Sequence, residues 1–301
     1  MAISIWPVTD SFVAEIGDAD LASLGDDDAA AIRDAFLKYA VLVFPDQQLS
    51  HDQHLDFARR FGPLETTIAT YRENKLRLRP EFADVSNLDG DDKVWGGESR
   101  TRQFQMANRL WHTDSTFKFV PARVSLLYAR GELPPVGGHT EFADQRAAYD
   151  ALDAATRALI DGKVAEHAIF TSRGRLGFTE FTEQEVANLP PVPQVLVRTL
   201  ETGRRSLYLA SHAGRILGMD EAEGRALIDR LIAHTTQRRF VVTHRWRPRD
   251  LVMWDDRCTM HRGTAYDDLR WPRELVRATV SDEVNSCVRE GLAIPAVVGA
   301  A

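Results

Sequence analysis

The chain has 301 residues, 44% of them hydrophobic and 27% charged, a globular balance with length for one large domain or two small ones. Its formal net charge of −7 excludes nonspecific nucleic-acid binding, because no basic excess is there to neutralise phosphates. Two cysteines without C-x-x-C spacing, Cys258 and Cys287, exclude a disulfide framework, and no apolar run approaches the ~18 residues of a membrane span.

The opening residues Met1-Ala2-Ile3-Ser4-Ile5-Trp6 carry no basic flank or signal-like apolar stretch, so a cytoplasmic location is expected. No repeat, low-complexity tract or linker divides the chain, and one domain over 1–301 is predicted. A first strand leads into a helix near 27–40 with acids in its first turn, followed by the apolar strand Val41–Phe44. Ser50 is placed to cap a second helix in which Leu55, Ala58 and Phe61 share a face, and Gly62-Pro63 stops it. Residues 66–109 are polar, with Gly and Asp clusters and a basic stretch at 72–79. They read as an insertion that is either a mobile lid or a plain surface loop.

Beyond Asp114 the pattern turns to short β-rich runs at 123–130, 138–142, 196–199, 206–209, 240–244, 250–254 and 274–280. Helical inserts are predicted at 144–162 and 220–236. The class is mainly β with α (α+β), and a double-stranded β-helix, or jelly roll, with helices packed outside fits it. Periodicity alone does not separate this from another α+β arrangement.

In an extended segment His112 and Asp114 point to the same side, so one strand end can deliver two ligands to one ion. A third must come from elsewhere, and His261 follows the run at 250–254 and the turn-like Asp255-Asp256-Arg257. Two imidazoles and a carboxylate are the ligand set of a non-haem Fe(II) oxygenase, with open positions for a chelating 2-oxoacid and dioxygen. Singly the signal is weak: a His-x-Asp arises by chance, and a lone histidine is more often a surface or hydrogen-bonded core residue. The other histidines, His51, His54, His139, His167, His212, His234 and His244, form no His-Glu-x-x-His pattern, which disfavours that kind of zinc hydrolase.

Arg273 and Arg277 stand four apart in a strand-like segment, on one face, and two bidentate guanidinium groups suit two carboxylates. The alternative is an edge strand of solvated arginines, one paired with Glu274 or Asp267. Pro135-Val136-Gly137-Gly138-His139-Thr140 reads as a tight turn entering a strand, where Thr140 can bond one end of a ligand.

Taken together these segments resemble the taurine / 2,4-dichlorophenoxyacetate dioxygenase family of Fe(II)- and 2-oxoglutarate-dependent oxygenases, over nearly the whole chain. The resemblance rests on Val41-Leu42-Val43-Phe44, Phe57-Ala58-Arg59-Arg60-Phe61-Gly62-Pro63-Leu64-Glu65 and Asn108-Arg109-Leu110-Trp111-His112-Thr113-Asp114-Ser115. Gly137-Gly138-His139-Thr140-Glu141-Phe142-Ala143-Asp144 and the late block from Asp250 to Gly263 complete it. It implies that His112, Asp114 and His261 hold iron and that Thr140 and Arg273 grip the distal carboxylate of 2-oxoglutarate. Arg277 is implied as the substrate's anionic anchor, with Asn108 and Ser115 lining the pocket. His212 is either on the substrate side or structural.

Ala147 to Leu152, Ser172-Arg173-Gly174-Arg175-Leu176-Gly177 and Arg238 to Trp246 look closer to the aryloxyacetate branch. The implied reaction uses O2 to hydroxylate the carbon beside an ether oxygen, and the hemiacetal collapses to a phenol and glyoxylate, with succinate and CO2 from the cosubstrate. Three departures stand out. Asp256 occupies a position where Asn is usual, the gap from His261 to Arg273 is one residue longer than in some relatives, and Thr70 stands where some relatives place a lysine. A substrate carboxylate then relies on Arg277, or on Arg72 or Lys75. The alternatives are the same chemistry on taurine, an alkyl sulfate or another small organic acid, and a non-catalytic cupin-like metal- or ligand-binding protein. The expected partner is a small anionic molecule, without nucleic acid or membrane, and a homo-oligomer is expected.

Overall fold

The computed structural model describes residues 3–71 and 76–295. Arg72 and Lys75, two of the three suggested anchors for a substrate carboxylate, lie outside the described residues. The strand Val41–Phe44 is buried at all four positions because it sits inside a sheet covered on both faces. Alternation sends Val41 and Val43 to one side with Leu127, Val252, Trp254 and Leu275, and Leu42 and Phe44 to the other with Leu126, Met253 and Val276.

That sheet has seven strands in the order Ser4–Pro7, Val13–Gly17, Val41–Phe44, Leu251–Asp255, Ala122–Ala129, Leu275–Ser281 and Phe82–Asp84. Its outer face is covered by the helices Asp26–Tyr39 and His51–Arg59, through Ile32, Phe36, Leu55 and Phe57. The first helix has Asp26, Asp27 and Asp28 at its positive end and stops at Ala40, whose φ of 64° turns the chain directly into the next strand. Ser50 and Gln53 form a capping box on the second.

The inner face meets a smaller sheet, Thr140–Asp144 flanked by Val241–His244 and Thr259–Gly263, with Phe142 5.4 Å from Trp254 between the layers. Two sheets enclosing one core, with helices outside, make the expected jelly roll. Glu221–Thr235 packs outside through Leu227, Ile228 and Leu231.

The predicted insert at 144–162 is two helices, Gln145–Asp150 and Ala154–Ile160, because Asp153 caps a new helix on the Thr156 N–H after the break at Ala151-Leu152. Ile169–Gly174 and Glu183–Asn188, six residues each, are too short to show a helical period in the sequence. Within 66–109, Phe82–Asp84 joins the edge of the main sheet with Phe82 buried, and Arg100–Gln105 forms a helix capped by Ser99.

Candidate metal centre and active site

His112 and His261 meet as partners in an isolated antiparallel bridge, donating N–H to each other's carbonyl at 3.0 and 2.8 Å. Thr113 points the other way, its hydroxyl donating to the Leu209 carbonyl, so His112 and Asp114 share a side as alternation requires. His112 Nε2 lies 3.8 Å from Asp114 Oδ1, and His261 Nε2 lies 3.8 Å from Asp114 Oδ2. All three residues are buried, and their ligand atoms lie within 4.8 Å of one another.

The donor set fits a divalent metal. His112 Nδ1 donates to the Leu110 carbonyl at 2.8 Å, which fixes the tautomer and leaves the Nε2 lone pair for an ion. Burial above all lowers the pKa of both imidazoles, that of His261 well below its usual value, so both rings are neutral at pH 7. For Asp114 burial works in the opposite direction, but the charge of Arg277, the two imidazoles and the Ser125 hydroxyl outweigh it and bring the carboxyl to about 2.

A second carboxyl lies behind the first. Asp256 Oδ1 accepts from the Asp114 N–H at 3.2 Å and from Trp254 Nε1 at 3.0 Å. Ser125 Oγ is 2.8 Å from both Asp114 Oδ2 and Asp256 Oδ2, yet it has one proton to donate. Burial, then the Asp114 charge, push the Asp256 carboxyl well above the usual carboxylate range. A neutral Asp256 donates to Ser125, which donates to Asp114, and every side-chain oxygen of these three residues is satisfied. Asp256 therefore supplies a donor, as the usual Asn would.

The other end of the site is a buried cation. Arg273, 7% exposed, donates through Nε to the Gly138 carbonyl at 2.8 Å and reaches Thr140 Oγ1 at 3.5 Å. Gly138 has φ +66°, and a Cβ there would lie 2.6 Å from Pro134, so glycine is required where the guanidinium docks. Among the described residues Arg273 forms no ion pair, and burial pushes it down to about 10. Three other deeply buried arginines each have an acid beside them: Arg146 has Asp144, Arg198 has Asp282 and Arg257 has Asp255. A buried guanidinium ringed by neutral acceptors is a receptor for an anion. Trp246 Nε1 donates to Thr140 Oγ1 at 3.0 Å, which leaves the Thr140 proton free for a ligand.

A cavity of about 320 Å3 opens beside His112 and Asp114, lined by Asn108, Ser115, His212 and Arg277, with Phe104, Phe117 and Ile169 as apolar wall. Arg277, on the strand Leu275–Ser281, donates to Asp114 Oδ1 and has a side chain 19% exposed. The alternative pairing with Glu274 does not form, since Glu274 is bound by Arg77. His212 is buried, its ring 4.9 Å from Phe117 and 6.2 Å from His112. Ser115 is turned away from an incoming ligand, its hydroxyl donating to Glu65 at 2.7 Å. Sequence reasoning missed Ser125, Trp246, Glu65, Lys118 and Asn87, whose side chain accepts the Arg273 N–H at 2.7 Å. None stands in a pattern that announces its role.

The profile of the family described as taurine catabolism dioxygenase TauD, TfdA family matches residues 4–279. The chain belongs to that family. It is 43% identical over 286 residues to the alpha-ketoglutarate-dependent 2,4-dichlorophenoxyacetate dioxygenase of Cupriavidus pinatubonensis (strain JMP 134 / LMG 1197), covering 94% of this chain and 99% of that one. It is 37% identical to the (S)-phenoxypropionate/alpha-ketoglutarate-dioxygenase of Sphingobium herbicidovorans, over 88% and 91% of the two chains. The crystal structure of AAD-2 with Mn(II) and N-oxalylglycine superposes with a TM-score of 0.91 at 46% identity, covering 95% of this chain and 100% of that one. As a member of the family the chain is a dioxygenase, an oxidoreductase. No helix among the described residues is long and apolar enough to cross a membrane.

Proposed function

We propose that this dioxygenase hydroxylates the carbon beside the ether oxygen of an aryloxyalkanoate such as 2,4-dichlorophenoxyacetate, using Fe(II), 2-oxoglutarate and O2. The observation that carries the reading is the presence in one site of two neutral imidazoles with an ionised carboxylate and of Arg273, a buried cation with no ion pair among the described residues. His112, Asp114 and His261 would hold the metal. Iron(II), when bound, would activate O2, the oxidant, so that one oxygen atom goes to succinate as 2-oxoglutarate loses CO2 and the other goes into the substrate C–H bond.

The chain's own residues bind and orient. Arg273 and the Thr140 hydroxyl take the distal carboxylate of 2-oxoglutarate. Arg277 takes the substrate carboxylate, while Phe104, Phe117 and Ile169 receive the aryl ring beside the neutral His212 and Asn108. Ser115 serves the pocket through its bond to Glu65. The hydroxylated product is a hemiacetal and collapses to a phenol and glyoxylate without further catalysis. The whole chain acts as one domain, and 66–109 contributes a lid through Ile68, Phe104 and Asn108. The reading carries with it a cytoplasmic location, which suits the two free cysteines, and a homo-oligomer.

The test is anaerobic loading with Fe(II) and 2-oxoglutarate, then aerobic succinate release across phenoxyacetates, phenoxypropionates, taurine and alkyl sulfates. Succinate matched by phenol release with the aryloxy acids is expected. Succinate with taurine or alkyl sulfates alone would overturn the substrate class. Bound iron with no turnover on any acid would return the cupin-like binding protein.

A further inference from the structure

Asp114 is followed at once by a residue in an unusual conformation. Ser115 has φ +49°, left-handed backbone that a residue with a Cβ adopts only when its surroundings hold it there. It is 5% exposed. What holds it comes from fifty residues away: Ser115 Oγ donates to Glu65 Oε2 at 2.7 Å, and Lys118 Nζ donates to the same oxygen at 2.7 Å. The Glu65 side chain is 8% exposed. Hydroxyl and ammonium donors on one buried carboxylate are strong, oriented bonds.

The same residue is fastened on its other sides. The Glu65 N–H donates to the Thr279 carbonyl at 2.8 Å, on the strand that carries Arg277. Lys118 closes the turn by donating its own N–H to the Ser115 carbonyl at 2.9 Å and its ammonium to the Thr66 carbonyl at 3.0 Å. Glu65 thus joins three parts of the site: the turn after Asp114, the strand of Arg277, and the start of the segment 66–109.

We propose that Glu65 is a positioning residue for the metal centre: by tethering Ser115 in the left-handed region it fixes the backbone exit of Asp114 and hence the carboxylate's aim between His112 and His261. This rests on the assignment of Asp114 as a metal ligand. Glu65 touches no ligand itself and acts through Ser115.

Backbone conformation provides a test that side-chain chemistry alone would not pass. Ser115→Ala keeps the Cβ and loses the tether, whereas Ser115→Gly loses the tether but adopts φ +49° freely. Mn(II) affinity is measured by titration without 2-oxoglutarate, beside urea unfolding of the same proteins. Ser115→Ala and Glu65→Ala are expected to weaken Mn(II) binding by about 10- to 100-fold, as removal of a partner that orients a ligand does. Glu65→Gln, which keeps the acceptor, stays within a few-fold of the wild type. Ser115→Gly, alone or on Glu65→Ala, recovers most of the affinity. Wild-type affinity in Ser115→Ala, or a Glu65→Ala/Ser115→Gly protein as weak as Glu65→Ala, would overturn the proposal. Asp114→Ala separates the two layers: Mn(II) affinity unchanged there would sink the ligand assignment rather than the role of Glu65.

Discussion

The two ends of the active site solve the problem of buried charge in opposite ways. Around Asp114 the charge is answered within the protein: Arg277 on one oxygen, Ser125 on the other, and a neutral Asp256 behind. Around Arg273 it is left unanswered, with Gly138 and Thr140 as partners and no acid. Since burying an unpaired charge is costly, Arg273 lowers the stability of the fold as it stands, and in the proposed function an incoming carboxylate restores it. In the proposed function the difference separates a group held in place for a metal from a group held ready for a ligand.

The comparison breaks most completely at the ligands. His112→Ala or Asp114→Ala should abolish iron binding and succinate release while the circular dichroism of the fold persists, because neither side chain belongs to the hydrophobic core. Full turnover in either variant would remove the metal assignment.

The next effect sharpens the contrast between buried arginines. Arg198→Met should lower stability by about 3–5 kcal/mol, since it removes the buried partner of Asp282 and leaves that carboxylate with the longer contact to Arg289 at 3.4 Å. Arg273→Met should do the reverse, raising the Tm of the 2-oxoglutarate-free protein while weakening 2-oxoglutarate by about 2–5 kcal/mol. A fall in Tm for Arg273→Met would show that its hydrogen bonds outweigh its unpaired charge. Smaller still, Arg277→Ala is expected to raise the dissociation constant for a phenoxyacetate by about 10- to 100-fold, with 2-oxoglutarate affected much less. Equal weakening of both, measured by titration, would abolish the division of labour between the two arginines.

The smallest effect lies outside the site. His167 is fully buried with neither ring nitrogen bonded among the described residues, and burial pushes it down to about 3; His54 is pushed down to about 4. A lowered folded pKa means that the unfolded chain binds the extra proton, so stability is complete above about 6.5 and is lost as pH falls towards those values. Each group costs about 2 kcal/mol at about pH 5. His167→Phe should remove its share, seen as a shallower loss of urea stability between pH 7 and 5. An unchanged slope would mean that His167 stays neutral in the unfolded chain as well, or that its burial is relieved by water.

Much of this was readable beforehand because it depends on local pattern. The alternation in Val41–Phe44, the Ser50 cap and the His-Thr-Asp segment are properties of neighbours in sequence, and the structure has each where the pattern put it. The division of 144–162 into two helices was not, since six or seven residues carry too little periodicity. Ser125, Glu65 and Trp246 were invisible for a different reason. A serine in an apolar strand and a glutamate after a turn look ordinary until folding brings them within hydrogen-bond reach of Asp114's neighbourhood and Thr140.

The sequence by itself determined most strand and helix types and pointed to three candidate ligand side chains through residue chemistry and short spacing, and the resemblance of its motifs pointed to the family. Only the tertiary structure decided that His112 pairs backbone to backbone with His261, that Asp256 sits as a neutral acid behind Asp114, and that Arg273 forms no ion pair among the described residues where Arg146, Arg198 and Arg257 each have an acid. Those are facts about which charges share a dry interior, and electrostatics at a few ångströms is set by contacts between residues far apart in the chain.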